Sequence, residues 1–233
     1  MLILAIETAS SQAGCAIGGH EGVLASAHSG INGRHAENIS PQIAFIKEQA
    51  GINYSELGAI AVDIGPGLFT GLRVGVATAV SIAHALTLPV IGISRLDLRA
   101  FPARWTSRLI VSAMDARRGE LFTALFRRVP GGIQRVRDAN VCTAEDLAAE
   151  IQTFDESILL VGDGALRYAE VFESLGRVEL AEQGLAHPSA RAMVQLAHAR
   201  AMREEFVQPW DLEPIYLRKP DAEINWSTRN NSK

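Results

Sequence analysis

Cysteine is almost missing from the 233-residue chain. Cys15 and Cys142 stand alone, without CxxC spacing or a disulfide framework, so a reducing cytoplasm is the expected compartment. A charge excess is missing too: Lys and Arg number 22 against 26 Asp and Glu, a net charge of −4. That balance excludes a protein that holds nucleic acid by its overall field, because phosphate binding needs surplus cation. No apolar run is long and clean enough for a bilayer, since Arg73, His84 and Pro89 interrupt the stretch from 68 to 93. The apolar start, Met1 to Ile6, meets Glu7 without a basic segment before it, so it does not read as a signal peptide. Short-period repeats and low-complexity segments are also lacking.

Several chemical signatures are equally missing. No G-x-S-x-G elbow occurs, and no Lys-Ser/Thr pair follows the glycines of Gly65-Pro66-Gly67 as a P-loop would require. Arg34-His35-Ala36-Glu37 resembles a metal or catalytic cluster. A helical site would want a second imidazole four residues after His35, and Ile39 stands there. No metal site and no catalytic residue are therefore expected.

What is present is 48% hydrophobic residues in an ordered pattern. Strands are expected at Leu2–Ile6, Gly14–Gly18 and Val23–Ser29, then a helix from Pro41 to Ala50 opened by Ser40-Pro41. A strand at Ala59–Ile64, a long helix at Thr70–Leu86 and a strand at Val90–Ile93 follow. Past Arg104 the pattern restarts: strands at Leu109–Ala113 and Leu121–Arg127, a helix capped by Thr143, a strand at Ile158–Val161, and Gly162-Asp163-Gly164 leading into a helix that ends near Gly176. Pro188 opens a last long helix to Glu205. This predicts an α/β protein of two lobes, 1–104 and 105–205, with the last helix able to pack back on the first lobe. Residues 206–233 form a tail, expected to be disordered after about 223.

Two segments could meet a nucleotide phosphate. Glu7 and Thr8 place oxygen ligands at the end of the first strand, and Gly65 and Gly67 make a strand-to-helix turn with backbone N–H groups that suit an anion. On the residues alone a polar turn and a glycine-permitted bend serve as well. No cofactor is expected, with ATP or ADP and Mg²⁺ in the cleft, or at a subunit interface, the alternative.

The Thr70–Leu86 helix has few polar residues: Arg73, Thr78, Ser81 and His84. A helix on one sheet face should show water a polar side, so a second covered face is expected, either enclosed within the monomer or, the favoured reading, supplied by another subunit. Gly75, Ala79 and Ala83, spaced by four, would let a neighbouring helix approach. Candidate partner-facing residues are Leu72, Arg73, Val76, Val80 and His84, with Ile39, Ile43 and Ile46 from the preceding helix. Charge is blocked as well. Residues 99–137 hold nine Arg against Asp115 and Glu120, and 143–182 hold ten acids against Arg167 and Arg177. Arg117, Arg118, Arg127 and Arg128 around one hairpin are candidates for touching RNA within a larger assembly.

Taken in order, Ile3 to Ser10, Gly33 to Glu37, Gly65 to Gly75, Met114 to Glu120, Gly162-Asp163-Gly164 and Pro214 to Arg218 resemble the TsaB (YeaZ) family of bacterial tRNA-modification proteins. Glu7 stands where many relatives carry Asp. The resemblance implies a two-lobed fold of the actin, sugar-kinase and Hsp70 type, with mixed sheets flanked by helices. It implies a role in making N6-threonylcarbamoyladenosine in tRNA as the non-catalytic partner of a TsaD-type transferase, with a TsaE-type ATPase joining. The protein alone would form a homodimer or stay monomeric, and tRNA would be met through the complex. Family contacts of this kind use the first-lobe helices. The rival reading is a small-molecule kinase or ATPase of the same fold; a peptidase lacks any catalytic triad or histidine pair.

Overall fold

Residues 1–10, 12–30 and 35–218 are described by a computed structural model of the chain. The Arg34–His35 side-chain cluster and the tail after 223 lie outside the described residues. The first lobe runs β1 (Leu2–Glu7), β2 (Gln12–Gly19), β3 (Gly22–Gly30), α1 (His35–Ala50), β4 (Leu57–Asp63), α2 (Phe69–Leu86) and β5 (Val90–Ile93). Ile3 to Ile6 are apolar without alternation, the pattern of a strand covered on both faces, and β1 is central in a sheet of order β3-β2-β1-β4-β5. β1 pairs antiparallel with β2 and parallel with β4, Ile6 opposite Val62. Side chains alternate across β1: Leu4 and Ile6 meet α1 and α2, whereas Ile3 and Ala5 face a helix from the far end of the chain.

The second lobe repeats the topology. It contains β6 (Leu109–Arg117), β7 (Glu120–Val129), β8 (Gly132–Thr143), α4 (Ala144–Gln152), β9 (Ile158–Val161), α5 (Asp163–Arg167), α6 (Ala169–Phe172) and β10 (Val178–Leu180), in the order β10-β9-β6-β7-β8. In both lobes a three-stranded antiparallel meander is extended by two parallel strands reached through helices. This is the two-lobed actin, sugar-kinase and Hsp70 architecture. Between the lobes, α3 (Arg95–Ala100) packs Leu96 and Ala100 against Ile110 and Met114 of β6. α7 (Ala190–Ala201) returns to the first sheet, where Met193, Val194 and Ala197 cover Ile3 and Ala5.

Several boundaries differ from the sequence reading. α1 starts at His35, and Pro41 lies inside it. Burial of the Ile39, Ile43 and Ile46 stripe holds the helix across the missing backbone hydrogen bond. β8 was not expected, because Gln134, Arg135, Arg137, Asp138 and Asn140 make it polar. It is an edge strand whose arginines are tied down: Arg135 to Asp97 at 2.5 Å and Arg137 to Glu150 at 2.9 Å. The single helix expected up to Gly176 is two short ones, broken at Tyr168. The last helix ends at Ala201 instead of Glu205.

α2 settles which of its faces is covered. Its buried residues are Gly71, Leu72, Gly75, Ala79 and Ala83 out of 18, and they face the chain's own sheet. The small-residue stripe therefore admits the chain's own sheet, not a foreign helix: a Cβ at Gly75 would lie 2.4 Å from Thr8 Oγ1, just past β1, and 3.7 Å from Val62 of β4. Among the described residues α2 is the one helix whose length and composition would also suit a membrane span. Its packing on β4 and β1 accounts for the inner half of that apolarity.

Candidate functional site

The parallel strands β1 and β4 end side by side on acidic residues, Glu7 and Asp63, both 1% exposed. A third residue, Arg95 at the start of α3, joins them. Its Nε donates to Asp63 Oδ2 at 2.7 Å and its second terminal nitrogen to Glu7 Oε1 at 3.1 Å. Its remaining terminal nitrogen donates to the Ala9 carbonyl. The other carboxylate valences are filled from the backbone and Ser10. The amides of Ala9 and Ser10 donate to Glu7 Oε1, the Ser10 hydroxyl to Glu7 Oε2, and the Gly65 amide to Asp63 Oδ1 at 2.7 Å. Burial pushes the Glu7 carboxyl up to about 7 against the opposing pull of the Arg95 guanidinium, with Asp63 adding to the rise.

Of the two readings of these segments, the polar turn is the one that Glu7, Thr8 and Gly65 fit, because their polar groups are engaged within the chain. Glu7 is enclosed and paired, and the Thr8 hydroxyl donates to the Gly71 carbonyl at 2.7 Å. Gly65, at φ +94°, has its amide on Asp63 and its carbonyl accepting from the Arg95 amide. A Cβ on Gly67 would lie 2.5 Å from an Arg95 terminal nitrogen and 2.9 Å from the Ala9 oxygen, so that glycine is the space through which Arg95 reaches the acids. Sequence reasoning missed Asp63 and Arg95. The available signal was an acid closing an otherwise apolar strand, as Glu7 does.

Above this triad, between the lobes, lies a cavity of about 240 Å³ lined by Arg99, Asp163, Asp115, His187, Phe69 and Tyr216 among others. Arg99 is buried, pairs with Asp163 at 2.7 Å and donates to the Ala186 carbonyl. Burial lowers the His187 pKa, helped by the Arg99 charge. Asp115 is held by Arg167 at 3.0 Å. The acids lining the cavity are thus each matched by an arginine, and among the described residues no three His, Cys, Asp or Glu converge as a metal site would require.

Replacing Glu7 by Gln tests the raised carboxyl. In the native protein a group with a folded pKa near 7 and an unfolded value near 4.5 contributes stability in its protonated form that is lost as pH rises between them. The wild type should therefore lose melting temperature relative to Glu7→Gln on going from pH 4.5 to above 7. A constant difference across that range in thermal unfolding would contradict the assignment.

The candidate partner face is divided. Ile39, Ile43, Ile46 and Leu72 are buried in the chain's own core, which corrects their reading as partner-facing anchors: they fill the space between α1, α2 and the sheet. Val76 packs partly on the same core. The open face of α2 carries Arg73, Ala77, Ser81 and His84, with Val80 half-buried at its margin. It is small and mixed in polarity, where a more apolar surface was expected. Arg73 stacks over Phe69 at 3.8 Å, and Phe45 is 54% exposed on α1, a helix packed beside α2.

The arginine hairpin also separates. Arg117 and Arg118 sit at the β6–β7 turn, whereas Arg127 and Arg128 lie at the opposite end of β7. They make no single RNA-facing cluster. Arg127 is held by both oxygens of Glu156, and Arg108 by Glu179. The basic and acidic blocks of the sequence thus neutralise each other across the second lobe.

Duplicated lobes, a cleft between them and strand-end acids closed off by an internal arginine define the class: a two-lobed actin-like protein with an inward-paired cleft. The family model described as "TsaD: tRNA N6-adenosine threonylcarbamoyltransferase" matches residues 27–226. The tRNA threonylcarbamoyladenosine biosynthesis protein TsaB of Escherichia coli is 30% identical over 94% of this chain and 95% of its own length. Its counterpart in Bacillus subtilis is 29% identical over 97% and 98%. The structure of YeaZ from Pseudomonas aeruginosa superposes with a TM-score of 0.82 at 26% identity, covering 93% of this chain and 99% of that one. The chain belongs to the TsaB (YeaZ) family.

Proposed function

We propose that the chain is a non-catalytic subunit in the biosynthesis of N6-threonylcarbamoyladenosine in tRNA, pairing with and activating a TsaD-type transferase in the cytoplasm. A TsaE-type ATPase would join this pair, and the same face would form a homodimer when the chain is alone. The observation that supports the reading most is the use of Glu7 and Asp63. In a phosphotransferase of this architecture, acids at these strand ends would face metal and phosphate; here both are turned onto Arg95 with every oxygen engaged. The surface that suits a protein partner is chiefly the outer face of α2. A standard interface of about 800 Å² per partner would fit the combined outer faces of α1 and α2.

Reconstitution tests it. Unmodified tRNA, an activated threonylcarbamoyl donor, ATP with Mg²⁺, and the TsaD-type and TsaE-type proteins should give little modified adenosine without this chain and full modification when it is added. Complete modification in its absence, or ATP turnover by the chain alone at enzymatic rates, would overturn the proposal.

A further inference from the structure

Beside the lobe boundary lies a second pocket, of about 260 Å³, bordered by Phe101, Arg104, Trp105, Arg128, Val129 and Gln195. Trp105 is 73% exposed, an unusual position for the largest apolar side chain. It is also held in place. The Arg104 guanidinium lies 4.1 Å from the Phe101 ring centre and 4.6 Å from that of Trp105. It is fixed by donating to the Phe101 carbonyl at 3.0 Å and to Gln195 Oε1 at 3.2 Å. Arg128, exposed in the same lining, has no ion-pair partner among the described residues, unlike its neighbour Arg127. No carboxylate borders the pocket.

We propose that this pocket binds an unpaired nucleotide of RNA, its base stacked on Trp105 and its phosphate held by Arg128. The volume is below the roughly 300–1,000 Å³ of pockets for drug-sized ligands and suits one base. A stacking face beside a fixed cation and a second cation without a carboxylate is the arrangement by which proteins take single-stranded nucleic acid. Trp and Arg also anchor protein interfaces. The two cations with no acid in the lining favour a polyanion over a peptide. The ordering of Arg104 means that little freedom is lost on binding. The inference rests on the tRNA-modification reading for the identity of the RNA.

The experiment titrates unmodified tRNA into the chain assembled with its TsaD-type and TsaE-type partners, comparing wild type with Trp105→Ala, Trp105→Phe and Arg128→Ala. Trp105→Ala should raise Kd about tenfold, and Trp105→Phe should stay near wild type because a stacking face remains. Arg128→Ala should reduce the slope of log affinity against log salt by about 0.7, the loss of one phosphate contact on a single strand. All three variants should melt and co-elute with their partners as wild type does, since the side chains lie at the surface. Wild-type affinity and salt slope in both alanine variants would overturn the proposal, as would loss of a protein partner with tRNA affinity unchanged. If the wild-type assembly fails to form or to modify tRNA, the functional reading fails instead. The same titration on the isolated chain then decides the pocket.

Discussion

Arg95→Met is expected to lower the melting temperature at pH 7.5 by about 6–20 °C. The side chain is 2% exposed and is the cation shared by Glu7 and Asp63. Removing it leaves two buried acids without their shared cation and without solvent. Breaking a buried ion pair from one side costs about 3–5 kcal/mol, and in a chain of this size each kcal/mol is worth about 2–4 °C. Lysine should not rescue the loss. Three separate contacts, to Asp63, Glu7 and the Ala9 carbonyl, depend on the planar fork of the guanidinium. The sign with pH follows from the same pair. Without the cation, burial raises the Glu7 carboxyl with no opposing charge, so the penalty is smallest at acid pH, where that carboxyl is protonated in both states, and grows as pH rises. The deficit should therefore shrink at pH 4.5. Adding Glu7→Gln to the methionine variant should recover part of it, because one of the two stranded charges is gone. An Arg95→Met protein that melts within 2 °C of wild type at neutral pH would show that solvent or a rearrangement reaches the acids.

The triad also explains what could be seen in the sequence and what could not. The lobes were legible because strands buried on both faces, such as Ile3 to Ile6, announce themselves as unbroken apolar runs, and the restart after Arg104 repeats their order. β8 was not legible, since an edge strand with Arg135 and Arg137 inside looks like a loop until Asp97 and Glu150 are brought to it from elsewhere. The cleft left two readings open for a related reason. Glu7 and the glycines of Gly65-Pro66-Gly67 carry the residue types of a phosphate site, and local pattern cannot reveal that Arg95, distant in sequence, occupies the space. The helix stripe shows the same limit: Gly75, Ala79 and Ala83 fit close approach of a partner, and what they pack against is the chain's own sheet, with Thr8 and Val62 at Gly75.

Ala77→Arg is expected to abolish pairing with the TsaD-type transferase while leaving this chain folded, the largest functional effect of any single surface change. Ala77 is exposed and lies between Arg73 and His84 on the open face of α2, one turn after Arg73 and two before His84. An arginine there has room in the free chain. Against a partner it would bury an unmatched cation beside an existing one, and like charge or an unpaired buried charge costs several kcal/mol at an interface. Affinity should fall at least about a hundredfold, enough to lose co-purification and, with it, tRNA modification. Val80→Arg, at the margin of the same face, should weaken pairing less. Leu72→Ala provides the contrast. Its side chain is 1% exposed in the core between α2 and the sheet, so it should cost about 2–5 kcal/mol of folding stability and act on pairing only through the folded fraction. Light scattering of the isolated wild type and Ala77→Arg proteins would show whether the homodimer uses the same face, since only the wild type should then exceed monomer mass. Stoichiometric recovery of the transferase with Ala77→Arg would mean that the outer face of α2 is not the pairing surface, and Phe45 on α1 would become the next anchor to replace.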